Sequence, residues 1–173
     1  MTDTTHMWNA PNRMLFSWGG VAEIGSYLRE FDVERPLVVT DEGVEQAGVL
    51  DPLLAAIDDA GKEYAVWSGV EPDPTDEIVH EAAAAYDEAD ADMALGIGGG
   101  SSIDTAKAVS ILATNDGHIL DYVGSGNVPN APPPTVYVPT TAGTGSEVGH
   151  WTIVKDTDTN IKEEIGDVKL LAD

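Results

Sequence analysis

The sequence predicts an α/β fold in which a parallel sheet carries helices on both faces. Five short apolar runs rich in β-branched residues predict strands, segments with helical spacing separate the earlier runs, and a glycine-rich turn follows the third run. This alternation is typical of parallel strands joined by crossover helices. The 173 residues, of which 42% are hydrophobic, suffice for one domain, which we expect to span residues 1–173.

The predicted elements follow one another along the chain. The strands are expected at residues 37–40, 64–67, 93–97, 135–138 and 151–154. Helical spacing predicts four helices: one carrying a stripe from Val21 to Phe31, one with Asp51 as its N-cap, one beginning near Thr75 and one beginning at Ser101 or Ser102. Three consecutive prolines make residues 127–134 a loop.

The composition excludes several classes of partner. The chain has 31 acidic and 8 basic side chains, for a formal charge of −23. Binding to nucleic acid or to anionic lipid needs clustered lysine and arginine, so we expect neither a nucleic acid nor a membrane as a partner. Molar salt would screen the mutual repulsion of so many carboxylates, which indicates a halophilic protein.

Cysteine is absent from the sequence, which excludes disulfide frameworks and thiolate metal sites. Residues 1–8 lack the basic and then apolar layout of a signal peptide. No apolar run approaches the ~20 residues that a membrane-spanning helix needs. We therefore expect a soluble, cytoplasmic protein.

A glycine-rich turn joins the third predicted strand to the fourth predicted helix. Gly98, Gly99 and Gly100 follow the strand directly. Glycines let the backbone approach a ligand, and the free N–H groups and dipole of a helix start favour an anion such as a pyrophosphate. The spacing Gly96-x-Gly98-x-x-Ser101 is only an imperfect dinucleotide-binding fingerprint, and it follows a later strand than usual.

The same segment also admits structural interpretations. Ser101 and Asp104 are three residues apart and could form a capping box, in which Asp104 satisfies only a backbone N–H. Lys107 could be a solvated helix residue. Spacing alone leaves phosphate binding and these alternatives open.

A second segment of small polar residues follows the fourth predicted strand. Residues 139–148 offer hydroxyl groups at Thr140, Thr141 and Thr144. In an open α/β sheet, ligands bind at the carboxyl ends of the strands, where this segment is expected to lie. A plain polar turn is the alternative.

Together the two segments resemble the signatures of the iron-containing, or group III, alcohol dehydrogenase family. Its patterns look like GGGSxxDxAK and PTTAGTGSEV, and this chain has GGGSSIDTAK at residues 98–107 and PTTAGTGSEV at residues 139–148. The resemblance extends over roughly residues 15–166. It implies a Rossmann-like α/β domain that binds a nicotinamide dinucleotide.

The resemblance also implies which residues contact the cofactor. Asp41 matches an acidic residue that accepts hydrogen bonds from the adenosine ribose, and capping of a following helix is its alternative role. Asp73 stands where the family often has asparagine. The implied cofactor-binding set is Asp41, Asp73, Gly98, Gly99, Gly100, Ser101, Asp104, Thr140, Thr141, Thr144 and Lys162. For His150, a place near the nicotinamide and a structural role both stay open.

The activity implied by the resemblance is that of an NAD(P)-dependent, metal-assisted alcohol dehydrogenase. NAD is the expected cofactor, NADP is the alternative, and the substrate is a small alcohol or aldehyde. In the family a second, helical domain holds a divalent iron, manganese or zinc ion, and its GxDAxxHxxE-like motif is absent from this sequence. We therefore expect the nucleotide-binding half of a longer enzyme, arising by truncation, proteolysis or a split gene, with no turnover by this chain alone.

Other functions remain open at this point. One is a stand-alone dinucleotide-binding module without catalysis. The others are related reductases of the same superfamily, such as a maleylacetate reductase or a hydroxyacid–oxoacid transhydrogenase. Assembly as a homo-oligomer is also left open.

Overall fold

The computed structural model describes residues 12–173 and, within them, two β-sheets. The expectation for residues 1–8 lies outside the described residues. The strands are β1 (Pro36–Val39), β2 (Ala65–Trp67), β3 (Met93–Gly98), β4 (Gly124–Ser125), β5 (Thr135–Pro139), β6 (Trp151–Lys155) and β7 (Lys162–Gly166). The helices are α1 (Ile24–Glu30), α2 (Glu42–Gln46), α3 (Asp51–Asp59), α4 (Asp76–Glu88) and α5 (Gly100–Leu112).

Four strands form a parallel sheet in the order β2-β1-β3-β5. Every residue of β1 and β3 is buried, as expected for central strands covered on both faces. Helices α1 and α3 pack on one face through Leu28, Leu53 and Ile57. Helices α4 and α5 cover the opposite face through Ala82 and Val109. The predicted α/β fold with a parallel sheet and helices on both faces is confirmed.

Helix α5 is buried from Ser102 to Ile111 because it lies between β3 and β6. Gly96 lets the helix approach β3 closely. A Cβ atom at Gly96 would lie 2.9 Å from the Cβ atom of Ala106 and 3.3 Å from the Cα atom of Ile103. This contact fixes the N-terminus of α5 at the carboxyl end of β3.

The fifth predicted strand is confirmed as β6, but it lies in a second sheet with the order β4-β7-β6. Strands β6 and β7 form an antiparallel hairpin, and β4 pairs in parallel with β7. Strands β4 and β7 were not predicted, because β4 has only two residues and β7 has only Ile165 as a large apolar residue. Val154 and Ile165 pack with Val79 and Ile111, so the hairpin rests on α4 and α5.

Two helix starts show how local signals define the ends of these elements. Helix α4 begins near Thr75 as predicted, and Thr75 is its N-cap, since its side chain accepts a hydrogen bond from the Ile78 N–H. The predicted N-cap Asp51 is wrong by one residue, because Leu50 is the N-cap of α3 and Asp51 lies in its first turn. None of the helices in residues 12–173 combines the length and the apolar character that crossing a bilayer demands.

Candidate functional site

A cavity of about 770 Å³ lies at the carboxyl edge of the parallel sheet. In this sheet β2 pairs with one edge of β1 and β3 pairs with the other edge. The strand order therefore reverses between β1 and β3. Open α/β sheets bind ligands at such a point. The cavity is lined by residues from the loops after β1, β2, β3 and β5, among them Asp41, Gly69, Pro72, Gly99, Gly100, Ser101, Ser102, Thr140 and Thr141.

The turn after β3 presents the start of α5 to this cavity. Gly98 has φ +148°, and a Cβ atom there would overlap the side chain of Ser102, so the turn requires glycine. Gly99 is the N-cap of α5, and because glycine has no side chain, no N-cap side chain accepts a hydrogen bond from the first turn of the helix. The first N–H groups of an α-helix have no partner within the helix, and the helix dipole gives this end a partial positive charge. The turn can therefore receive an anion.

A capping box between Ser101 and Asp104 is excluded. Both residues lie inside α5, which begins at Gly100, one residue earlier than the predicted start. Ser101 accepts a hydrogen bond through its backbone carbonyl from the hydroxyl group of Thr105, at 2.9 Å. The glycine turn, rather than a polar side chain, starts this helix.

The threonine-rich segment after β5 faces the glycine turn. The Thr140 N–H donates to the Gly98 carbonyl at 2.8 Å, and a Cβ atom at Gly99 would lie 3.5 Å from the Thr141 hydroxyl oxygen. Thr144 lies opposite Gly100, where an added Cβ atom would lie 3.4 Å from the Thr144 Cβ atom. The two predicted segments are thus brought together.

Asp41 follows β1 and lines the cavity. Its Oδ1 atom accepts a hydrogen bond from the Val44 N–H at 3.0 Å, so Asp41 does cap α2. Its Oδ2 atom is 3.4 Å from the Ser102 hydroxyl oxygen, which donates to it. One carboxylate oxygen therefore caps the helix while the other faces the glycine turn.

Asp73 and Lys162 lie apart from the main cavity. The Lys162 Nζ atom is 2.6 Å from the Asp73 Oδ1 atom, and both side chains are more than half exposed. Together with Ser101 and Asp104 they line a smaller cavity of about 90 Å³. Since Ser101 lines both cavities, the two spaces adjoin at the start of α5.

Asp104 and Lys107 form a buried pair of charged groups on α5. Burial raises the pKa of Asp104 to about 6, although the Lys107 ammonium, the Ser146 side chain and a backbone N–H oppose this rise. Burial lowers the pKa of Lys107 to about 8, against the opposing charges of Asp104 and Glu147. The alternative that Lys107 is a solvated helix residue is excluded, because its side chain is buried.

The sequence of the chain matches the model of a known family. The family model of iron-containing alcohol dehydrogenases matches the chain over residues 11–173. The chain belongs to the iron-containing alcohol dehydrogenase family. The predicted family membership is therefore confirmed.

Several known proteins match nearly the whole of this chain. Choline dehydrogenase of Bacillus subtilis is 37% identical over 164 residues, which cover 93% of this chain and 41% of the relative. NAD-dependent methanol dehydrogenase of Bacillus methanolicus is 35% identical over 160 residues, covering 92% of this chain and 42% of the relative. Sulfoacetaldehyde reductase from Bifidobacterium kashiwanohense, solved in complex with NAD+, superimposes with a TM-score of 0.87 at 26% identity, covering 97% of this chain and 45% of that structure. The chain thus spans about two fifths of the length of these curated relatives.

Not every residue implied by the resemblance to this family lies at the main cavity. Asp41, Gly99, Gly100, Ser101, Thr140 and Thr141 line it, and Gly98 shapes the turn beside it. Asp73, Asp104 and Lys162 line the smaller cavity instead. The His150 ring packs against the Trp151 ring, with 5.3 Å between the ring centroids.

The contact of Ser102 with Asp41 and the burial of Lys107 were not predicted from the sequence. Ser102 is buried, and its hydroxyl group bonds Asp41. Small and apolar residues surround Lys107 on every side of α5, and this pattern is typical of a helix buried all round. That signal was available in the sequence and indicated a buried lysine.

The name of the iron-containing family implies a metal ion, and the described residues do not fit one. Within residues 12–173, no group of three or more histidine, aspartate or glutamate side chains could hold a metal ion. His80 and His118 stack on each other, but His80 Nε2 already accepts the Ile119 N–H and His118 Nδ1 accepts the Leu120 N–H.

Proposed function

We propose that this chain is the nucleotide-binding part of an NAD(P)-dependent, metal-assisted alcohol dehydrogenase, and that residues 1–173 form its dinucleotide-binding domain. One observation carries the proposal. The start of α5 has no side-chain cap and opens into a cavity of about 770 Å³ at the point where the strand order reverses. The family to which the chain belongs supports the same activity.

The residues at the cavity fit a dinucleotide. The N–H groups of Gly100 and Ser101 suit the pyrophosphate, because they lack intrahelical partners. The space beside Gly99, which a Cβ atom would partly fill, leaves room for phosphate oxygens. The NAD-dependent relative and the NAD+-bound relative support NAD as the ligand.

The two ends of the site suggest the direction of the cofactor. Asp41 has one carboxylate oxygen that is not used in capping α2, and it suits the hydroxyl groups of the adenosine ribose. On the other side of Ser101 lie Asp73, Asp104 and Lys162. The cofactor therefore extends from Asp41, across the glycine turn, toward Lys162.

The residues of this chain bind and orient the cofactor. When bound, NAD would supply a hydride acceptor for alcohol oxidation at its nicotinamide ring. The start of α5 holds the pyrophosphate, the hydroxyl groups of Thr140 and Thr141 donate to its oxygens, and Asp41 fixes the adenosine ribose. The substrate, a small alcohol or aldehyde, and the metal are assigned to parts of the enzyme other than the described residues.

Binding and turnover can be measured separately on the purified chain. Calorimetric titration with NAD and NADP is expected to give saturable binding of at least NAD. Assays with ethanol or butanol and added iron, manganese or zinc are expected to give no turnover. Absence of dinucleotide binding would contradict the assigned site. Robust metal-dependent turnover would contradict the proposal that this chain binds the cofactor but does not catalyse the reaction alone.

Substituting Asp41 tests the assigned preference for NAD. Asp41→Asn keeps an oxygen that can cap α2 but removes the negative charge that repels the 2′-phosphate of NADP. We expect the ratio of the NAD and NADP affinities to fall about tenfold, which corresponds to about 1.4 kcal/mol. Glu45→Gln, a charge removal on α2 away from the cavity lining, is the matched control and should leave the ratio unchanged. All titrations are made at one ionic strength. Tighter binding of NADP than of NAD by the wild-type protein would contradict the role of Asp41.

The charge of the chain predicts that its folding depends on salt. A formal charge of −23 repels itself strongly at low salt, and the screening length falls from about 10 Å at 0.1 M to about 3 Å at 1 M. We expect the thermal unfolding midpoint to rise steeply between these KCl concentrations. Sucrose, which stabilises folded proteins without screening charge, is the control and should not reproduce the steep rise. A flat KCl curve would contradict halophilic adaptation.

A further inference from the structure

Lys107 makes an unusual set of hydrogen bonds. Its side chain is fully buried, and its Nζ atom donates to the carbonyl groups of Ser146 at 2.6 Å, Gly149 at 2.7 Å and Trp151 at 2.9 Å. A lysine ammonium has three N–H donors and a neutral amine only two. The three carbonyl groups therefore match the charged form of Lys107.

The groups around the Lys107 ammonium explain how its charge is tolerated. Asp104 faces it from α5, and Glu147 faces it from the segment that it binds. From β5, the ring of Tyr137 lies 5.4 Å from the Nζ atom. Two carboxylates and an aromatic face thus offset the cost of burying the ammonium.

The segment that Lys107 binds continues directly from the threonine residues of the candidate site. Ser146 and Thr144 lie against Gly100, where an added Cβ atom would be 3.2 Å from the Ser146 hydroxyl oxygen. Earlier in the same loop between β5 and β6, the Thr140 N–H donates a hydrogen bond to the Gly98 carbonyl of the glycine turn. All residues from Thr140 to Gly145 are exposed, so few packing contacts hold them in place.

We propose that Lys107 is a positioning residue, whose charged ammonium fixes residues 146–151 and thereby holds Thr140 and Thr141 against the glycine turn in the arrangement that binds the dinucleotide. This inference rests on the proposed function. Lys107 touches no ligand in this role. Its effect on affinity passes through the shape of the segment between β5 and β6.

The role predicts opposite effects of pH on binding and on stability. The pKa of Lys107 is lowered to about 8 by burial, so the third donor is lost as pH rises above 8. If only the charged form is competent, NAD affinity falls about tenfold between pH 7 and pH 9. In the unfolded chain Lys107 keeps its proton to a higher pH. Above pH 8 the unfolded state therefore binds more protons than the folded state, and the contribution of Lys107 to the free energy of unfolding rises with pH. A residue with only a structural role would not move affinity and stability in opposite directions.

Two variants and one control make the test specific. Lys107→Arg keeps its charge throughout this pH range and is expected to bind NAD with an affinity that is flat between pH 7 and pH 9. Lys107→Met fills similar volume without charge and is expected to bind more than about tenfold more weakly at pH 7, with no pH dependence. Lys62→Met removes a lysine that pairs with Glu34 far from the site, and it is expected to keep the wild-type profile.

The measurement is calorimetric titration with NAD across pH 6.5–9.5, paired with thermal unfolding at each pH. A wild-type affinity that falls with pH, together with a flat Lys107→Arg profile, supports the inference. If Lys107→Met does not fold, the pH profiles of the wild type and of Lys107→Arg still test the inference. Wild-type binding that is flat across pH 7–9, or a fall that persists in Lys107→Arg, overturns the positioning role alone. Failure to bind NAD at any pH overturns the proposed function and this inference with it.

Discussion

Gly99→Ala is expected to weaken NAD binding at least about tenfold, or about 1.4 kcal/mol, while leaving the thermal unfolding midpoint unchanged. Gly99 has φ −77° and ψ −173°, a conformation that alanine adopts readily. The added Cβ atom would meet only the Thr141 hydroxyl oxygen, at 3.5 Å, in the space assigned to the pyrophosphate. The substitution therefore obstructs the ligand without straining the fold.

An inverse control separates affinity from stability. Gly61 has φ +71° and open space around it, and it does not line the cavity. Gly61→Ala is expected to lower the free energy of unfolding by about 1 kcal/mol through backbone strain and to leave NAD affinity unchanged. Unaltered affinity in Gly99→Ala would place the phosphates elsewhere.

Gly96→Val is expected to lower the free energy of unfolding by about 3 kcal/mol, the upper end for an overpacked core. Even a Cβ atom at this position would lie 2.9 Å from the Ala106 Cβ atom, and valine adds two methyl groups. Helix α5 would have to move away from β3 and carry the glycine turn with it. Urea unfolding measures the loss of stability, and NAD titration of the folded fraction should show weakened binding.

A double-mutant cycle tests the cause of this loss. Ala106→Gly removes the atom that an added Cβ atom at Gly96 would meet. The pair Gly96→Ala and Ala106→Gly is therefore expected to be less destabilised than the sum of the single variants, with a coupling of at least about 0.5 kcal/mol. Strict additivity would contradict close packing of α5 on β3 as the cause.

The parallel sheet was predictable because each of its strands carries its own local signal. The run Met93–Gly98 is apolar and ends in glycines, so its burial and the turn after it both follow from the sequence. The hairpin strand β7 could not be predicted in this way. Its pairing with β6 depends on partners along the chain and not on its own pattern, which is mostly charged.

Some features of the candidate site also follow from short stretches of sequence, whereas others depend on contacts between distant residues. The glycine turn and the threonine segment were predicted to bind a ligand, and the fold brings them together at one sheet edge. The role of Lys107 depends on carbonyl groups about 40 residues away that converge only in the folded chain. The Asp73–Lys162 ion pair joins residues 89 positions apart for the same reason.

Mapping of backbone amide chemical shifts by ¹H–¹⁵N NMR during titration with NAD tests the central claim most directly. The chain of 18.2 kDa is of a suitable size for this measurement. We predict that the largest shift changes occur at Gly99, Gly100 and Ser101, with further changes at Thr140 and Thr141. Changes confined to other parts of the chain, or none at saturating NAD, would contradict a dinucleotide site at the start of α5.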